Sequence, residues 1–219
     1  MGIPALHPWT IDPEEAIRIQ DGLRSQLILE WDGRPVHAVG GIDLGYTQTS
    51  AIATIAVFSY PHLAQLEVAA GEAPLVFPYI PGLLAFRVIP AILVAWEMLS
   101  QKPDLLLVHG HGIAHPRRLG LASHLGLWLN LPSIGIAKSR LYGRANEVGQ
   151  NKGNWSELLD ESDESHTIGA LVRTRLHAQP VYVSPGHRID LPNAIEFVLS
   201  CSCGYRMPEP IRYAHAHCP

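Results

Sequence analysis

An acidic residue in a glycine-rich strand is the first candidate for chemistry. Asp43 lies in the segment Gly40–Tyr46 (GGIDLGY), near the end of an apolar stretch that predicts a strand. Its small neighbours would leave the carboxylate open to a bound cation, because no bulky side chain covers it. A lone Asp at a strand end more often serves a turn or a cap, so its importance depends on the other motifs.

Two prolines flank an aromatic ring in the segment Phe77–Arg87. Pro78 and Pro81 restrict φ on either side of Tyr79, and Gly82 permits a sharp turn into the following helix. A tyrosine held this stiffly is suited to stacking against a flat group. The alternative is that Pro81 and Gly82 serve only the turn.

A glycine-rich segment follows a short apolar stretch. Gly110 and Gly112 come soon after Leu105–Val108, which predicts a buried strand, and His109 directly precedes them. Because glycine has no Cβ, backbone N–H groups at these positions can approach a ligand closely. Turns that require glycine are the alternative explanation.

The elements of the first half predict an antiparallel meander between two helices. Asp12–Glu15 has the capping residue, proline and acids of a helix start, and that helix extends to about Glu30. Short links join three predicted strands, which span Val36–Leu44, Ala51–Phe58 and Leu63–Ala70. A helix over Leu83–Leu99 follows, with Pro90 predicted to kink it or to mark its first turn.

The second half predicts a parallel β-α-β unit, formed by Asp104–Val108, Leu119–Leu129 and Ser133–Ala137. The polar segment Arg144–His166 predicts a mobile surface loop. The remaining predicted strands and helices are Ile168–Thr174, Val181–Ser184, Leu191–Ser202 and Glu209–His217. This order favours an α/β fold of ribonuclease H-like layout, a mixed sheet flanked by helices, in one domain spanning residues 1–219.

The composition is typical of a globular protein. A hydrophobic fraction of 47% over 219 residues excludes disorder, and no apolar stretch reaches the roughly 18 residues that predict a membrane span. Since no secretory signal is visible, we expect a cytoplasmic location. The net charge of −4 argues against coating nucleic acid by bulk electrostatics, although basic residues of the second half could form a local phosphate-binding face. The Cys201-x-Cys203 spacing is tighter than in most zinc sites, so we expect ordinary thiols.

Seven ordered motifs make the chain similar to the endonuclease V family, from about Pro13 to His217. They are the strand of Asp43 and the segments Phe77–Arg87, Gly110–Arg118, Ala122–Gly126, Ile134–Ser139, Val183–Arg188 and Gly204–Arg212. The resemblance implies hydrolysis of a phosphodiester bond near a deaminated purine, deoxyinosine in DNA or inosine in RNA. It also implies Mg²⁺ or Mn²⁺ as cofactor and a monomeric protein that does not bind membranes.

The resemblance also implies roles for individual residues. The segment Pro78–Pro81 would act as a wedge, with Tyr79 filling the gap left by a base rotated out of the stack. The positions that match the family's hypoxanthine pocket are Gly82, Leu84, Gly110, Gly112 and His115. A purine with a carbonyl at C6 suits backbone N–H donors, whereas a 6-amino group cannot accept from them. The positions that match catalytic residues are Asp43, Lys138 near the scissile phosphate, and His215 beside the metal and the attacking water.

Two positions depart from the family's metal site. Val88 and His109 stand where the family has Glu and Asp, so only Asp43 remains of three carboxylates. Valine offers no ligand, whereas imidazole suits Mn²⁺ or Zn²⁺ better than Mg²⁺, which would leave Asp43 and His109 as metal ligands.

Three hypotheses follow from this departure. The first is a nuclease whose one metal is held by Asp43, His109 and His215. The second is a catalytically inactive protein that still binds nucleic acid containing deoxyinosine or inosine. The third, a fold kept for protein interaction alone, is disfavoured by the preserved Tyr79 and glycines. The sequence does not decide between DNA and RNA.

Overall fold

A nine-stranded mixed sheet runs through the computed structural model, which describes residues 4–218. The strands are β1 Ala38–Tyr46, β2 Ser50–Ser59, β3 Gln65–Pro74, β4 Leu105–His109, β5 Ser133–Ala137, β6 Arg144–Ala145, β7 Trp155–Leu159, β8 Thr167–Val172 and β9 Val181–His187. Their order across the sheet is β3-β2-β1-β4-β5-β9-β8-β7-β6.

Both kinds of strand pairing follow the sequence prediction. The strands β1, β2 and β3 form an antiparallel meander, while β4 pairs parallel with β1 on one side and with β5 on the other. Because parallel strands end at the same edge of a sheet, the residues that follow β1, β4 and β5 are brought together there. The predicted mixed α/β sheet flanked by helices is therefore confirmed.

Helices cover both faces of the sheet. They are α1 Pro13–Leu23, α2 Leu84–Met98, α3 Leu121–Leu129, α4 Leu191–Ser200 and α5 Glu209–Ala216. Most buried apolar residues of α2 and α3 pack in one core cluster, and those of α4 and α5 pack in another on the opposite face. Among residues 4–218, no helix combines the length and the hydropathy that a bilayer span requires.

The helix predicted over Leu83–Leu99 forms one residue shorter at each end. Pro90 is its seventh residue and lies in the second turn, so the alternative that it marks the first turn is wrong. A proline at this depth removes one intrahelical hydrogen bond. Seven buried apolar side chains and the buried Trp96 hold α2 against the sheet, and this packing outweighs the local cost.

The prediction of a surface loop over Arg144–His166 is wrong for part of that segment. It contains β6 and β7, and β7 pairs antiparallel with β8 at the end of the sheet. The many acidic and serine residues of this segment give no alternation of apolar and polar residues that would predict a strand. Leu158 is nevertheless fully buried and packs with Ala114 and Ile168. A single buried side chain and strand pairing thus order a segment whose composition is that of a loop.

Candidate functional site

The parallel pairing of β1 with β4 brings Asp43 and His109 together. Ile42 lies opposite Val108, so the next residues of the two strands, Asp43 in β1 and His109 at the end of β4, are neighbours. Asp43 is almost fully buried, whereas His109 is partly exposed. The two residues predicted to be metal ligands, Asp43 and His109, are thus in direct contact.

A second histidine reaches Asp43 from α5. This helix crosses β1 so closely that a Cβ at Gly41 would lie 2.1 Å from the carbonyl carbon of Pro210. Gly41 and Asp43 point to the same face of the strand because side chains alternate along it. The missing side chain at Gly41 therefore lets α5 carry His215 to Asp43.

The Asp43 carboxylate accepts one hydrogen bond on each oxygen. The Nδ1–H of His109 donates to Oδ1 and the Nδ1–H of His215 donates to Oδ2, each at 2.5 Å. Burial raises the pKa of Asp43, but the hydrogen bond and charge of His109, with the hydrogen bond of His215, outweigh it and hold the pKa below its usual value. Asp43 is therefore a carboxylate anion between two imidazoles. The Nε2 atoms of His109 and His215 take no part in these hydrogen bonds.

The side chains around Asp43 do not fit Mg²⁺. This ion takes oxygen ligands in an octahedron, whereas both Asp43 oxygens are engaged by histidines. Val88 is fully buried in the apolar cluster of α2 and offers no ligand. Within residues 4–218, no group of three or more His, Cys, Asp and Glu side chains is arranged to hold a metal ion. The structure brings the predicted ligands Asp43 and His109 together as hydrogen-bond partners.

A cavity of about 240 Å³, here called the Gly82 cavity, lies where the segment before α2 meets the loop after β4. Six of the seven residues predicted for the wedge and base pocket line it: Tyr79, Pro81, Gly82, Leu84, Gly110 and His115. The Tyr79 side chain is 71% exposed, so its ring is free to contact a partner. Other residues also line the cavity and were not predicted, among them His111, Ser139, Arg140 and Leu141.

The two loop glycines do not present their N–H groups to this cavity. The N–H of Gly110 donates to Ile136 O at 3.0 Å, and that of Gly112 donates to Ser184 Oγ at 2.8 Å. The expectation that these glycines supply donors to a ligand is therefore wrong. Gly112 instead allows a close approach to β9, because a Cβ there would lie 2.0 Å from Pro185 O.

The N-terminus of α2 lies at the Gly82 cavity. The first N–H groups of a helix have no intrahelical acceptor, and Leu84 and Ala85 of this first turn line the cavity. In the part of the chain that the structure describes, neither of these two N–H groups has another backbone or side-chain acceptor. The cavity thus combines apolar walls with a helix N-terminus, which suits a flat ligand carrying an acceptor oxygen.

Three side chains hold the turn at Gly82, where φ is +82°. Its carbonyl accepts from Gln20 Nε2 at 3.0 Å, from His115 Nε2 at 2.9 Å and from Arg117 Nη2 at 3.1 Å. Burial is the main cause that lowers the pKa of His115 to about 4, so the neutral ring donates here. Gln20 was missed because nothing in the polar pattern of α1 indicates that this side chain becomes buried.

A second cavity, of about 200 Å³, is here called the His215 cavity. Its polar lining consists of His109, Lys138, Tyr205, Arg206, Arg212 and His215. The predicted catalytic residues Lys138 and His215 therefore line the same cavity. The third, Asp43, accepts a hydrogen bond from the His215 ring. Arg206 Nη2 donates to Lys138 O at 2.7 Å and ties the segment after β5 to the last part of the chain.

The chain is similar in sequence to known proteins over almost its whole length. The sequence profile of endonuclease V matches residues 21–216. The endonuclease V of Trichormus variabilis is 50% identical over 211 residues, which cover 95% of this chain and 94% of the relative. That of Gloeobacter violaceus is 49% identical over 216 residues, covering 96% of this chain and 87% of the relative.

Solved structures of endonuclease V proteins are also similar to this chain. The crystal structure of endonuclease V from Streptomyces avermitilis superposes with a TM-score of 0.90 at 40% identity and covers 99% of this chain and 94% of its own. Ciona intestinalis endonuclease V, in complex with a 23mer DNA containing an inosine followed by a ribo-adenosine, superposes with a TM-score of 0.81 at 28% identity, covering 94% and 96%. From the strand of Asp43 to the helix of His215, this chain belongs to the endonuclease V family.

Proposed function

We propose that this chain recognises deoxyinosine or inosine in a nucleic-acid strand and holds the base in the Gly82 cavity. The observation that carries the proposal is the cavity beside the exposed Tyr79, with the N-terminus of α2 in its wall. Its volume of about 240 Å³ lies below the roughly 300–1,000 Å³ of sites for drug-sized ligands, as a site for one base requires. The DNA bound to the Ciona relative contains inosine, which is consistent with the same ligand here.

The chemistry of the cavity favours a carbonyl at C6 of the purine. The free N–H groups of Leu84 and Ala85 can donate to that oxygen, and the positive end of the helix dipole supports its partial charge. The 6-amino group of adenine would place donors against donors and leave the helix N–H groups unpaired. An unpaired buried donor costs about 1–3 kcal/mol, so we expect a roughly ten- to hundredfold preference for inosine.

A binding comparison tests this recognition. Two strands that differ only in one inosine or adenine are titrated with the full chain in a gel-shift assay. We expect the inosine strand to bind roughly ten- to a hundredfold more tightly than the adenine strand. Equal affinity for the two strands would overturn it.

We further propose that metal-dependent phosphodiester hydrolysis is lost or strongly reduced in this chain. The endonuclease V family is divalent-metal dependent. Here Val88 is an apolar core residue, and the two oxygens of Asp43 are engaged by His109 and His215. The described residues therefore lack the oxygen ligands that Mg²⁺ requires.

Residual cleavage is the second candidate function. It is favoured by the ionised Asp43 and by the position of Lys138 and His215 in one cavity. Nicking of an inosine-containing strand is assayed at high enzyme excess with Mg²⁺, Mn²⁺, Co²⁺ and Zn²⁺ in turn. Cleavage confined to the metals that accept nitrogen ligands would support this candidate, and no cleavage with any metal would exclude it.

Restoring the missing acids tests why cleavage is lost. The double variant Val88→Glu with His109→Asp should gain Mg²⁺-dependent nicking, whereas neither single variant should reach the same rate. Because Val88 is fully buried, thermal unfolding must first show that the double variant is folded. A folded double variant that binds inosine but does not cut would show that the two replacements are not the cause.

A further inference from the structure

The segment before α1, residues 4–11 and here called the N-terminal strap, contacts α2 and α3. It forms neither a helix nor a strand, and in the described part of the chain a single hydrogen bond joins it to another element. That bond links two histidine rings, with Nε2 of His7 lying 2.7 Å from Nε2 of His124 in α3. This one polar contact therefore fixes where the strap lies.

The surroundings of the two rings determine which of them donates. Nδ1 of His7 lies 2.9 Å from Pro8 O, and because a carbonyl oxygen only accepts, this nitrogen carries the hydrogen. Burial lowers the pKa of both rings, that of His124 to about 3, so His7 is neutral and its Nε2 is an acceptor. Nε2–H of His124 therefore donates to His7. Among the described residues Nδ1 of His124 has no partner, so His7 satisfies the only hydrogen bond of this fully buried ring.

The strap also packs aromatic rings against both helices. Trp9 stacks on Trp128 of α3, with ring centroids 4.4 Å apart and an angle of 27° between the planes. The rings of His7 and Trp9 contact Phe86 of α2 at centroid distances of 5.2 and 6.4 Å. The strap therefore joins α2 to α3 close to the N-terminus of α2, which lies at the Gly82 cavity.

Residues 78–81, which carry the exposed tyrosine, depend on packing for their position. Within residues 4–218 their only hydrogen bond is from the N–H of Leu83 to Ile80 O at 2.9 Å, and the two prolines have no N–H to donate. Ile80 packs against the buried cluster that contains Phe77 and Phe86, and Trp9 of the strap packs against the same cluster. The strap thus supplies part of the apolar surface on which residues 78–81 lie.

We propose that the N-terminal strap is a positioning element for inosine recognition, which holds residues 78–81 where Tyr79 can contact the bound strand. The inference rests on the proposed function, because it concerns the same contact with nucleic acid. Release of the strap would remove packing beneath residues 78–81 and leave fewer molecules with Tyr79 in place. The apparent affinity for an inosine strand falls with the fraction of competent molecules, whereas an adenine strand that does not fill the Gly82 cavity is unaffected.

Full-length variants at His7 and Trp9 test this role in a gel-shift assay. His7→Leu removes the acceptor of His124, and Trp9→Ala removes the ring that stacks on Trp128. We expect each to lower the ratio of affinities for inosine and adenine strands roughly fivefold, the lower limit for a buried donor that loses its acceptor. His7→Gln should keep the wild-type ratio, because its Oε1 can accept from His124. Near-UV circular dichroism of the stacked tryptophans should show release of the strap in His7→Leu.

A control in the other core cluster separates positioning from stability. Val198→Ala removes fully buried methyl groups of α4 on the opposite face of the sheet, so it should lower stability and leave the ratio unchanged. In a Tyr79→Ala background, His7→Leu should cause no further fall in the ratio, because both substitutions act through the same ring.

The possible outcomes distinguish this inference from the proposed function. The role of the strap would be overturned by an unchanged ratio in the His7→Leu and Trp9→Ala variants, by an equal fall in His7→Gln or Val198→Ala, or by additive losses with Tyr79→Ala. A wild-type chain without any inosine preference would instead overturn the proposed function.

Discussion

The two histidines beside Asp43 determine what its carboxylate does. In a cluster of carboxylates its oxygens would be free for cations, but here they accept from His109 and His215 at 2.5 Å. A shared carboxylate holds both imidazoles in one orientation, as outer partners do for ligating histidines. Asp43 thereby becomes a residue that positions His109 and His215 toward the His215 cavity.

Tyr79 is the residue whose loss should separate recognition from stability. Tyr79→Ala should weaken binding of an inosine strand by about 1–3 kcal/mol, the value of one stacked base, because no other ring lines the Gly82 cavity in the described chain except those of histidines. Since the side chain is 71% exposed, the free energy of unfolding should stay within about 0.5 kcal/mol.

The matched control for Tyr79 is Trp155→Ala, which removes another half-exposed aromatic ring from β7. Gel shifts and urea unfolding of both variants provide the measurements. Equal effects of the two substitutions on binding would contradict a specific role for Tyr79.

Gln20 should contribute through the turn that it holds. Its Nε2 donates to Gly82 O and to Leu119 O, both at 3.0 Å, so Gln20→Ala leaves a buried carbonyl without this partner. We expect about 1–3 kcal/mol lower stability and weaker inosine preference. Gln26→Ala, at an exposed position, is the control. Chemical unfolding and binding of the inosine and adenine strands would show the difference. A Gln20→Ala variant with unchanged stability and binding would refute the role of Gln20 in holding the turn at Gly82.

Prediction from sequence succeeded unevenly at the residue scale. The resemblance grouped Asp43 with His109, which are in contact, and six of the seven residues that it implied for the wedge and pocket line one cavity. The use of the Gly110 and Gly112 N–H groups could not be predicted, because their acceptors Ile136 and Ser184 come from distant strands. Gln20 was missed for the same reason, since its partners are 62 and 99 residues away.

At the element scale, the contact of α5 with β1 assembles the site. Gly41→Ala places a Cβ 2.1 Å from backbone of Pro210, which a rigid helix cannot avoid without moving. We expect a loss of about 1–3 kcal/mol in stability and displacement of His215 from Asp43. Gly22→Ala, inside α1 with no atom within 4 Å of the new Cβ, should instead stabilise by up to about 1 kcal/mol.

Thermal unfolding and the NMR signals of the His215 ring would report both effects of Gly41→Ala. A variant with unchanged stability and an unchanged His215 environment would contradict the proposed packing role of Gly41.

The elements themselves were predictable where apolar patterning is strong. The strand Ser133–Ala137 has the predicted bounds, and α2 differs by one residue at each end because its buried face is nearly continuous. β7 was not predicted, since the polar residues Ser156 and Glu157 precede its single buried residue Leu158. Its pairing with β8 is a tertiary contact that the local composition does not encode.

At the scale of the whole molecule, buried neutral histidines should make the fold sensitive to acid. Burial is the main cause that lowers the pKa of His115 and His187 to about 4 and that of His124 to about 3. A histidine with a pKa below its ordinary value of 6.5 takes up protons more readily in the unfolded chain. Its stabilisation is therefore present above pH 6.5 and falls as the pH drops toward 4.

The size of this effect follows from the linkage of protonation to folding. Each of the three histidines should cost about 2 kcal/mol between pH 6.5 and pH 5, well above the range in which ordinary carboxylates titrate. Urea unfolding at pH 7, 6 and 5 measures the change in the free energy of unfolding. A free energy that does not vary over this interval would show that these rings are not held neutral.

We expect the whole chain to recognise inosine without a metal ion. The most direct measurement is the ratio of dissociation constants for an adenine strand and an inosine strand, determined for wild-type chain in EDTA and again in Mg²⁺. We expect a ratio of roughly ten to a hundred that is the same in both conditions. A ratio near one in EDTA that rises only with Mg²⁺ would contradict it.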